Sequence, residues 1–436
     1  MSVGSINVVV DPPPGLTFDP VDAIISFQSC SYLNAKLAAF VRHLEGDASV
    51  RLNRNAILDR FPSEVAARVP FYAELLPKKF EDIPLISKRE LLCDSHSHIA
   101  QDTQRAWYKD TSGTTGAPIR IFYSADFFFE QRFLDLAKIL LLRGAKPETA
   151  GVSCVHLTDT ISTPPAIFAS PVIPGCVLAN LNIRDPRWMV QLAHLEPRFI
   201  SGRPEIFAQL GGRLSEVFKR PEAVISAGSM LTAERRTAIE DTLGTRCIDV
   251  YALSEFGLVA SECTRCVLHI DTTSVLVEVI GNDGRLAPQG HPGELVLSAL
   301  NNAVQPLLRY RTGDQGILSC EPCACGKPGP TLRLVEGRLV PNFKFASGAI
   351  ITPTCFNSLA SRWALEEYQI AQSGPSCVVV LLQAGRNTPP DVVDRVAEYV
   401  RSFLPADISV EVRLVCFSST AKRQRYVIGP PSVECN

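Results

Sequence analysis

The chain has 436 residues, of which 46% are hydrophobic and 20% charged, and its formal net charge is −2. This length exceeds one ordinary core, so we expect two or three domains. The small net charge gives no electrostatic reason to expect nucleic acid or an anionic membrane as a partner. The sequence shows neither a signal-peptide pattern nor an apolar run of membrane-spanning length. We therefore expect a soluble cytoplasmic protein whose 14 cysteines are reduced, with metal binding where they cluster.

The first hundred residues are predicted to be helical and irregular. Pro70 should end a helix that begins near Glu64 and start a second one, because proline lacks the amide N–H that a helix interior needs. Ser87 followed by Glu90 is the pattern of a capping box. Ser124 should cap a long helix that stops at Gly144 and carries an apolar core stripe.

Residues 151–260 alternate short apolar runs with helical patterns, which predicts βαβ units and a mostly parallel sheet. The predicted strands are 152–156, 176–179, 198–201, 223–227 and 247–251. The predicted helices are Pro204–Phe218 and Thr232–Leu243. A hairpin should follow, with strands 275–280 and 293–298 and a turn at Asn282-Asp283-Gly284.

A boundary is predicted near Gly337-Arg338, and the last hundred residues have a pattern of their own. We expect helices over 356–363 and 390–403 and strands over 367–371, 377–383 and 408–415. Apolar residues of the second helix fall on one face, so this segment can hold a separate small α/β core.

The stretch Tyr108–Tyr123 contains Thr111-Ser112-Gly113-Thr114-Thr115-Gly116 between β-prone flanks. Glycines let the backbone approach an anion closely, and successive N–H groups with Ser and Thr hydroxyls can bind phosphate. Segments of such composition more often form a solvated polar turn. The stretch alone leaves both interpretations open.

Four more motifs follow in order: Asp249-Val-Tyr-Ala-Leu-Ser-Glu-Phe-Gly257, Pro306-Leu-Leu-Arg-Tyr-Arg-Thr-Gly-Asp314, Gly337-Arg338, and Lys422 in a polar segment. Together with the Gly-rich loop they resemble the adenylate-forming (acyl- and aryl-CoA synthetase) superfamily, in the branch of the phenylacetate-CoA ligases. The resemblance extends from about residue 60 to about residue 428.

The resemblance implies a fold and a reaction. The fold would be α/β, with a large N-terminal adenylation domain (1–337) of mostly parallel sheets plus a β-hairpin subdomain, and a small mobile C-terminal α/β domain (338–436). The reaction would join ATP to a carboxylic acid, by expectation an aromatic one, as an acyl-adenylate with release of pyrophosphate. The acyl group would then pass to CoA or a carrier thiol. The oligomeric state, monomer or homodimer, stays open.

The resemblance also assigns roles to residues. Thr111 to Gly116 match the phosphate loop, and Glu255 matches the carboxylate that ligates Mg²⁺, a hard ion suited to oxygen ligands. Asp314 matches the acceptor for both ribose hydroxyls, and Lys422 the mobile cation that reaches the reacting carboxylate and α-phosphate. The remaining candidates for nucleotide contacts are Ala227, Gly228, Ser229, Asp249, Tyr251, Ser254 and Arg311.

Two of these candidates have alternatives, and the role of the segment from Ala227 to Ser229 stays open. Tyr251 would stack on adenine or line the acid pocket, or else it is a core residue. Arg311, like Arg309, would orient Asp314 or the phosphates, or form a surface ion pair. Ala227-Gly228-Ser229 lies where the family has a segment along the adenine, but lacks the acid that the family has there.

Two departures from the family pattern keep other functions open. Ala117 replaces the usual lysine of the phosphate loop, and Leu339–Phe343 lacks the acidic residues of the usual hinge and contains Pro341. The altered hinge motivates transfer of the activated group to an amine, and Ala117 motivates a nucleotide-binding relative without turnover. The acid pocket is expected among residues 200–260.

Cysteine and histidine residues cluster in two nearby segments. They are Cys263, Cys266 and His269, and then Cys320, Cys323 and Cys325. Thiolates and imidazole at such spacings suit tetrahedral Zn²⁺, although free thiols are the alternative. The resemblance indicates a structural zinc on Cys263, His269, Cys323 and Cys325, with Cys266 as a substitute for Cys263.

Overall fold

The computed structural model describes most of the chain. The described residues are 27–47, 63–75, 79–103, 106–110, 119–145, 153–159, 166–169, 177–218, 222–281, 283–336, 342–351, 353–356, 359–385, 388–416 and 426–430.

Helices precede the first strand, and two of them begin at sequence signals. They are α1 (Phe27–Leu44), α2 (Pro70–Leu75) and α3 (Lys88–Cys93), with a 3₁₀ turn at Phe80–Asp82. Pro70 begins α2, as predicted, since the first helical position needs no N–H bond. The capping box is confirmed: the Ser87 hydroxyl accepts from the Arg89 N–H and the Ser87 N–H donates to Glu90.

A hairpin flanks the Gly-rich stretch. Strands β1 (Trp107–Asp110) and β2 (Arg120–Tyr123) pair antiparallel, with Asp110 opposite Arg120. Ser124 then caps a helix, as predicted. Its parts are α4 (Ala125–Phe129), a π-helical turn (Glu130–Leu134) and α5 (Asp135–Leu142). The sequence pattern did not indicate the π turn.

The centre of the molecule is one twelve-stranded mixed sheet. Its strands are β3 (Ser153–Thr158), β4 (Ala166–Ala169), β5 (Val177–Asn182), β6 (Phe199–Gly202), β7 (Ala223–Ala227), β8 (Cys247–Leu253), β9 (Gly257–Glu262), β10 (Leu268–Ile270), β11 (Val275–Ile280), β12 (Pro292–Ala299), β13 (Tyr310–Ser319) and β14 (Thr331–Glu336). Their order across the sheet is β11-β12-β13-β14-β10-β9-β8-β7-β6-β3-β5-β4.

The predicted parallel region runs through β5, β3, β6, β7 and β8, which pair parallel. Helices cover both of its faces, as a parallel sheet requires. One face carries α6 (Trp188–Leu195), α7 (Pro204–Leu210), α8 (Gly212–Val217) and α9 (Ala233–Leu243), and α5 packs on the other.

Two local predictions need correction. The single helix expected over Pro204–Phe218 is two helices, because Gly211 takes a φ of 47° between them. The hairpin strands β11 and β12 pair antiparallel as expected, but they extend the main sheet rather than forming a separate unit. The turn residue Asn282 lies outside the described residues.

The C-terminal part contains a four-stranded sheet with its own core. Its elements are β15 (Phe343–Lys344), β16 (Ile350–Ile351), a 3₁₀ turn (Pro353–Phe356), α10 (Leu359–Arg362), β17 (Leu365–Gly374), β18 (Cys377–Ala384), α11 (Val392–Arg401), β19 (Ser409–Leu414) and β20 (Tyr426–Ile428). Strands β19, β18, β17 and β20 form the sheet. Hydrophobic residues from Phe343 to Tyr426 form one buried cluster. The sequence pattern missed β20 and the β15–β16 hairpin, while the predicted α/β class is confirmed.

Among the described residues, no helix has both the length and the apolar character needed to cross a membrane. The eleven cysteines whose side chains the structure describes form no disulfide with one another.

Candidate active site and candidate metal centre

A hydrogen bond joins two strands that are distant in the sheet order. The Tyr251 hydroxyl of β8 donates to Asp314 Oδ2 of β13 over 2.9 Å, and both side chains are buried. Four strand-to-strand steps separate β8 from β13, which is about 19 Å in a flat sheet. The sheet must therefore curl. Register shifts next to Tyr251 and at Gln315 mark irregularities of the kind that bend strands.

Neighbouring residues hold the backbone around Asp314, so that its carboxylate is directed toward Tyr251. Gly313 has a φ of 77°, which favours glycine. The Thr312 hydroxyl donates to the Leu295 carbonyl (2.8 Å) and accepts from the Asp314 N–H (3.0 Å). This arrangement orients one carboxylate toward the end of β8.

Glu255 lies in the turn between β8 and β9. Its side chain is buried, and the Tyr310 hydroxyl lies 3.4 Å from Glu255 Oε1. The rings of Tyr310 and Phe256 are 5.9 Å apart. Gly257 closes the turn with a φ of 71°. Every second residue of β13 from Tyr310 to Asp314 is buried on one face of the strand. That face contacts Glu255 through Tyr310 and Tyr251 through Asp314.

Arg311 does not join Asp314. Its position on β13 is exposed, whereas Tyr310, Thr312 and Asp314 are buried. Arg311 Nε donates to Glu294 Oε2 over 2.9 Å, and the two residues form a salt bridge. The surface ion pair that the sequence left as an alternative is therefore the arrangement in the structure.

The segment Ala227-Gly228-Ser229 follows β7 at the carboxyl edge of the parallel strands. Gly228 has a φ of 91°, and the Arg203 side chain packs against it. The Ser229 hydroxyl donates to Glu205 Oε2 over 2.5 Å, and Arg235 pairs with the same fully buried carboxylate. Glu205 thus supplies a carboxylate beside a segment that has none of its own.

Asp249 begins the predicted motif, and Ser254 lies five residues later, next to Glu255. Asp249 is partly buried beside Glu262, whose carboxylate accepts from the Asp249 N–H and from Arg236. Burial and the charge of Glu262 raise the pKa of Asp249 to about 7, against the effect of Arg236. Ser254 is partly exposed in the turn next to Glu255. The structure thus groups Ser254, but not the Asp249 carboxylate, with the Glu255 turn.

Several predicted site residues lie outside the described residues. They are Thr111, Ser112, Gly113, Thr114, Thr115, Gly116, Ala117 and Lys422, together with the boundary residues 337–341.

The predicted zinc ligands come together in space. One ligand atom from each of Cys263, His269, Cys323 and Cys325 lies within 4.8 Å of the others. Cys263 Sγ is 4.0 Å from Cys323 Sγ, and Cys325 Sγ is 3.3 Å from His269 Nε2. Cys266 is exposed and outside the group, with a φ of 56° in the turn after Cys263. The choice between the two cysteines therefore falls on Cys263.

The surroundings of this Cys/His group favour a thiolate at Cys323 and a neutral imidazole at His269, but they disfavour a thiolate at Cys325. Backbone N–H groups of Arg265 and Lys327 donate to Cys263 Sγ and Cys325 Sγ at 3.3 and 3.4 Å. Burial lowers the pKa of His269, which favours the neutral form of the ring that binds metals. Burial would raise the pKa of Cys323, but hydrogen bonds from Cys325 and Cys263 lower it overall. Burial raises the pKa of Cys325 to about 11, which a bound cation would oppose.

Sequence reasoning missed two residues of the site. Tyr310 lies within the motif that ends at Asp314, and its spacing of two and four residues from Thr312 and Asp314 could have placed it on the same strand face. Glu205 gave no such signal, because it meets Ser229 and Arg235 only in the folded chain.

Comparison with known proteins found relatives that are similar in sequence and structures that are similar in fold. No family model matches the chain. The phenylacetate-coenzyme A ligase of Thermus thermophilus is 29% identical over 328 residues, which cover 65% of this chain and 70% of that enzyme. The corresponding enzyme of Pseudomonas putida is 27% identical over 215 residues, covering 47% of this chain and 48% of that enzyme.

Solved structures with the same fold include a 2-hydroxyisobutyryl-CoA ligase. Its complex with 2-HIB-AMP aligns with a TM-score of 0.55 at 17% identity, covering 88% of this chain and 90% of that one. Its complex with 2-HIB-AMP and CoA gives a TM-score of 0.54 at 16% identity, covering 92% and 90%. The fold is that of the adenylate-forming superfamily. In sequence, the chain is similar to the phenylacetate-coenzyme A ligases of these two bacteria.

Proposed function

We propose that this protein activates a carboxylic acid with ATP and transfers the acyl group to coenzyme A. The carboxylate oxygen would attack the α-phosphorus of ATP, and the bond to the β-phosphate oxygen would break with release of pyrophosphate. The CoA thiolate would then attack the acyl carbon, and AMP would leave. The observation that carries the proposal is the pairing of Tyr251 with Asp314 beside the Glu255 turn, in a chain with this sequence likeness.

Asp314 is the proposed ribose acceptor. An ionised carboxylate has two oxygens that can each accept several hydrogen bonds, so Asp314 can hold two vicinal hydroxyls beside the bond from Tyr251. The Tyr251 hydroxyl fixes the orientation of that carboxylate, which makes Tyr251 a positioning residue as well as a candidate wall of the adenine site. Ala227, Gly228 and Ser229 would lie along the adenine.

Glu255 is the proposed Mg²⁺ ligand, with Ser254 next to it. The carboxylate oxygen is a hard donor that suits this ion, and the neighbouring Tyr310 hydroxyl is its neutral partner. When bound, the ion would neutralise triphosphate charge as pyrophosphate leaves. Thr111 to Gly116 and Lys422 are proposed, from the sequence, to grip the phosphates and to bring a positive charge to the reacting carboxylate.

A structural zinc is proposed on Cys263, His269, Cys323 and Cys325. Three sulfurs and one imidazole nitrogen are the donor set of closed tetrahedral zinc sites, which leave no position for a substrate. The N–H donors on Cys263 and Cys325 support thiolate ligands. Its contribution would be to hold β9, β10 and the loop after β13 together.

Two domains are proposed, 1–337 and 338–436. The separate hydrophobic cluster between Phe343 and Tyr426 supports this division. Arg184 and Phe403 make a contact between the two parts, with the guanidinium 3.8 Å from the ring centroid. A cytoplasmic location remains a prediction from the sequence.

The test is acid-dependent exchange of labelled pyrophosphate into ATP over a panel of aryl and short-chain acids. We expect exchange with at least one aromatic acid, and its loss in Glu255→Gln and Asp314→Ala. Absence of exchange with every acid, in a protein that still binds ATP by calorimetry, would instead support a nucleotide-binding protein without turnover.

The acceptor is tested separately. The active acid is incubated with ATP and either CoA or a panel of amines, and the products are identified by mass spectrometry. A CoA thioester is expected. An amide formed in the absence of any thioester would overturn the assignment of CoA while leaving acid activation intact.

A further inference from the structure

A buried cluster of charged residues lies between the helix from α4 to α5, which contains the π turn and is called the π-turn helix here, and the loop after β10. Lys138 is fully buried, and its ammonium group contacts Glu130 Oε1 at 2.8 Å, Asp271 Oδ2 at 2.8 Å and Ser274 Oγ at 2.9 Å. An ammonium group has three N–H donors, so each of them has a partner here. The Tyr32 hydroxyl also donates to Glu130, over 2.9 Å. The cluster is therefore a fully bonded polar network inside the protein.

The π turn places two members of this cluster on one helix face. Glu130 and Lys138 are eight residues apart, which in a regular helix would turn their side chains about 80° away from each other. A π turn adds one residue without advancing the hydrogen-bond ladder, so the pair lies as residues seven apart do, two turns apart on the same face. The π turn therefore places the Glu130 and Lys138 side chains on the same face of the helix, where they form an ion pair.

The same helix holds the backbone that follows Glu255. Asp135 Oδ2 accepts from the Leu258 N–H over 3.1 Å. Gly257 packs so closely that a Cβ there would lie 2.9 Å from Gln131 Cγ and 3.4 Å from Asp135 Oδ2. Burial, with the charges of Glu130 and Asp271, raises the pKa of Asp135 well above its usual range, against the effect of Lys138. The helix that carries the cluster therefore also grips Gly257 and Leu258.

Buried ion pairs are poor evidence of a contribution to stability, because the cost of desolvation offsets much of the attraction. A fully bonded network does, however, fix the positions of the groups that it joins. Here it joins α1, the π-turn helix and the loop after β10, and Asp135 of the same helix bonds the backbone three residues beyond the candidate Mg²⁺ ligand.

We propose that the Lys138 cluster and Asp135 form a positioning device that holds the Glu255 turn in the geometry needed to bind Mg²⁺. Asp135 is the positioning residue, because it bonds the backbone three residues beyond Glu255. Lys138 fixes the helix from which Asp135 extends, by binding Glu130 on one side and Asp271 on the other. This inference rests on the proposed function.

The test compares Asp135→Ala with Asp135→Asn. The asparagine oxygen can still accept from the Leu258 N–H, whereas alanine removes the acceptor. We measure the Mg²⁺ concentration that gives half-maximal pyrophosphate exchange, together with the KM for the acid. Asp135→Ala should raise the Mg²⁺ value about fivefold or more, since small displacements of a binding group are costly. Asp135→Asn should stay close to wild type, and the KM for the acid should change little in both.

A purely structural role would lower the maximal rate through loss of folded protein and leave the Mg²⁺ value unchanged, which would overturn the proposal. Amide hydrogen exchange of a peptide covering 253–260 gives a readout that needs no activity. Faster exchange confined to that peptide in Asp135→Ala is expected, and unchanged exchange there would also overturn the proposal. If the wild type does not exchange pyrophosphate into ATP, that result counts against the proposed function and not against this inference.

Discussion

Tyr251 donates a hydrogen bond to Asp314 over 2.9 Å, although their strands stand four steps apart in the sheet. The contact closes the curled part of the sheet and brings the motif around β8 together with the motif around β13. Tyr310 adds a second link between the same two motifs through Glu255. The described part of the candidate active site therefore combines residues of β8 and β13 with the turn that holds Glu255.

Removing the Tyr251 hydroxyl should weaken nucleotide binding. A hydrogen bond to a charged group contributes about 1.5–3 kcal/mol, so Tyr251→Phe should raise the KM for ATP in the exchange assay by about tenfold or more. Tyr72→Phe is the matched control, because Tyr72 is also buried but bonds the Leu308 N–H elsewhere. It should lower thermal stability and leave the KM for ATP unchanged. Equal KM values in Tyr251→Phe and wild type would contradict the role of Tyr251.

The Cys/His group should bind about one zinc ion per chain when the protein is purified without chelators. Cys325→Ser should lose the metal and lower the melting temperature, while Cys266→Ser should keep both, because Cys266 is exposed and outside the group. The measurements are elemental analysis and thermal unfolding with and without a strong chelator. A wild type without zinc, or Cys325→Ser with full zinc content, would count against the site.

Asp249 should make the protein less stable as the pH rises. Its pKa is about 7 in the folded protein and 3.8 as the ordinary value, so the folded state binds a proton more tightly than the unfolded state. The free energy of unfolding should then fall between about pH 4 and pH 7, by up to about 1.4 kcal/mol per pH unit, and level off above.

The substitution Asp249→Asn removes that titration. Urea unfolding should show the variant more stable than wild type at pH 8, with the difference shrinking toward pH 4. Asp241→Asn, on the exposed side of α9, is the control and should show no such trend. A stability difference that is constant over this pH range would rule out Asp249 as the source.

Arg184 and Phe403 should couple the two proposed domains. The guanidinium lies 3.8 Å from the Phe403 ring centroid, and Arg184 Nε donates to the Asp159 carbonyl at 2.9 Å. Cation–π contacts contribute about 0.5–2 kcal/mol. A double-mutant cycle with Arg184→Ala and Phe403→Leu, followed by urea unfolding, should give a coupling energy of about 1 kcal/mol. If the effects of the two substitutions on the free energy of unfolding are additive, the coupling energy is zero and the contact does not stabilise the protein.

Local signals predicted much of the fold. The capping box at Ser87, the cap at Ser124, the proline at the start of α2 and the parallel strands β5 to β8 are all confirmed, because each depends on residues close in sequence. The break at Gly211 and the π turn at Glu130–Leu134 were not predicted. Both lie within patterns that look helical throughout, and the packing of the neighbouring elements decides where such a pattern is interrupted.

In the candidate site, too, the sequence indicated some features and tertiary packing decided others. The family resemblance, which motif order and spacing carry, implied Glu255, Tyr251 and Asp314 as site residues, and the Cys and His spacing indicated a metal-binding cluster. The sequence could not place Arg311 in an ion pair with Glu294, nor choose Cys263 over Cys266, because side-chain direction and burial depend on strand register and turn geometry.

The sequence by itself determined the order of the chemical groups, the α/β class and most helix ends, since these follow from short-range hydrogen bonding and hydrophobic periodicity. Only the tertiary structure decided which groups meet. The bond from Tyr251 to Asp314 requires a curled sheet, and the partners of Lys138 come from residues eight and 133 positions away. Contacts of that range depend on the packing of whole elements, and no local pattern in the chain records them.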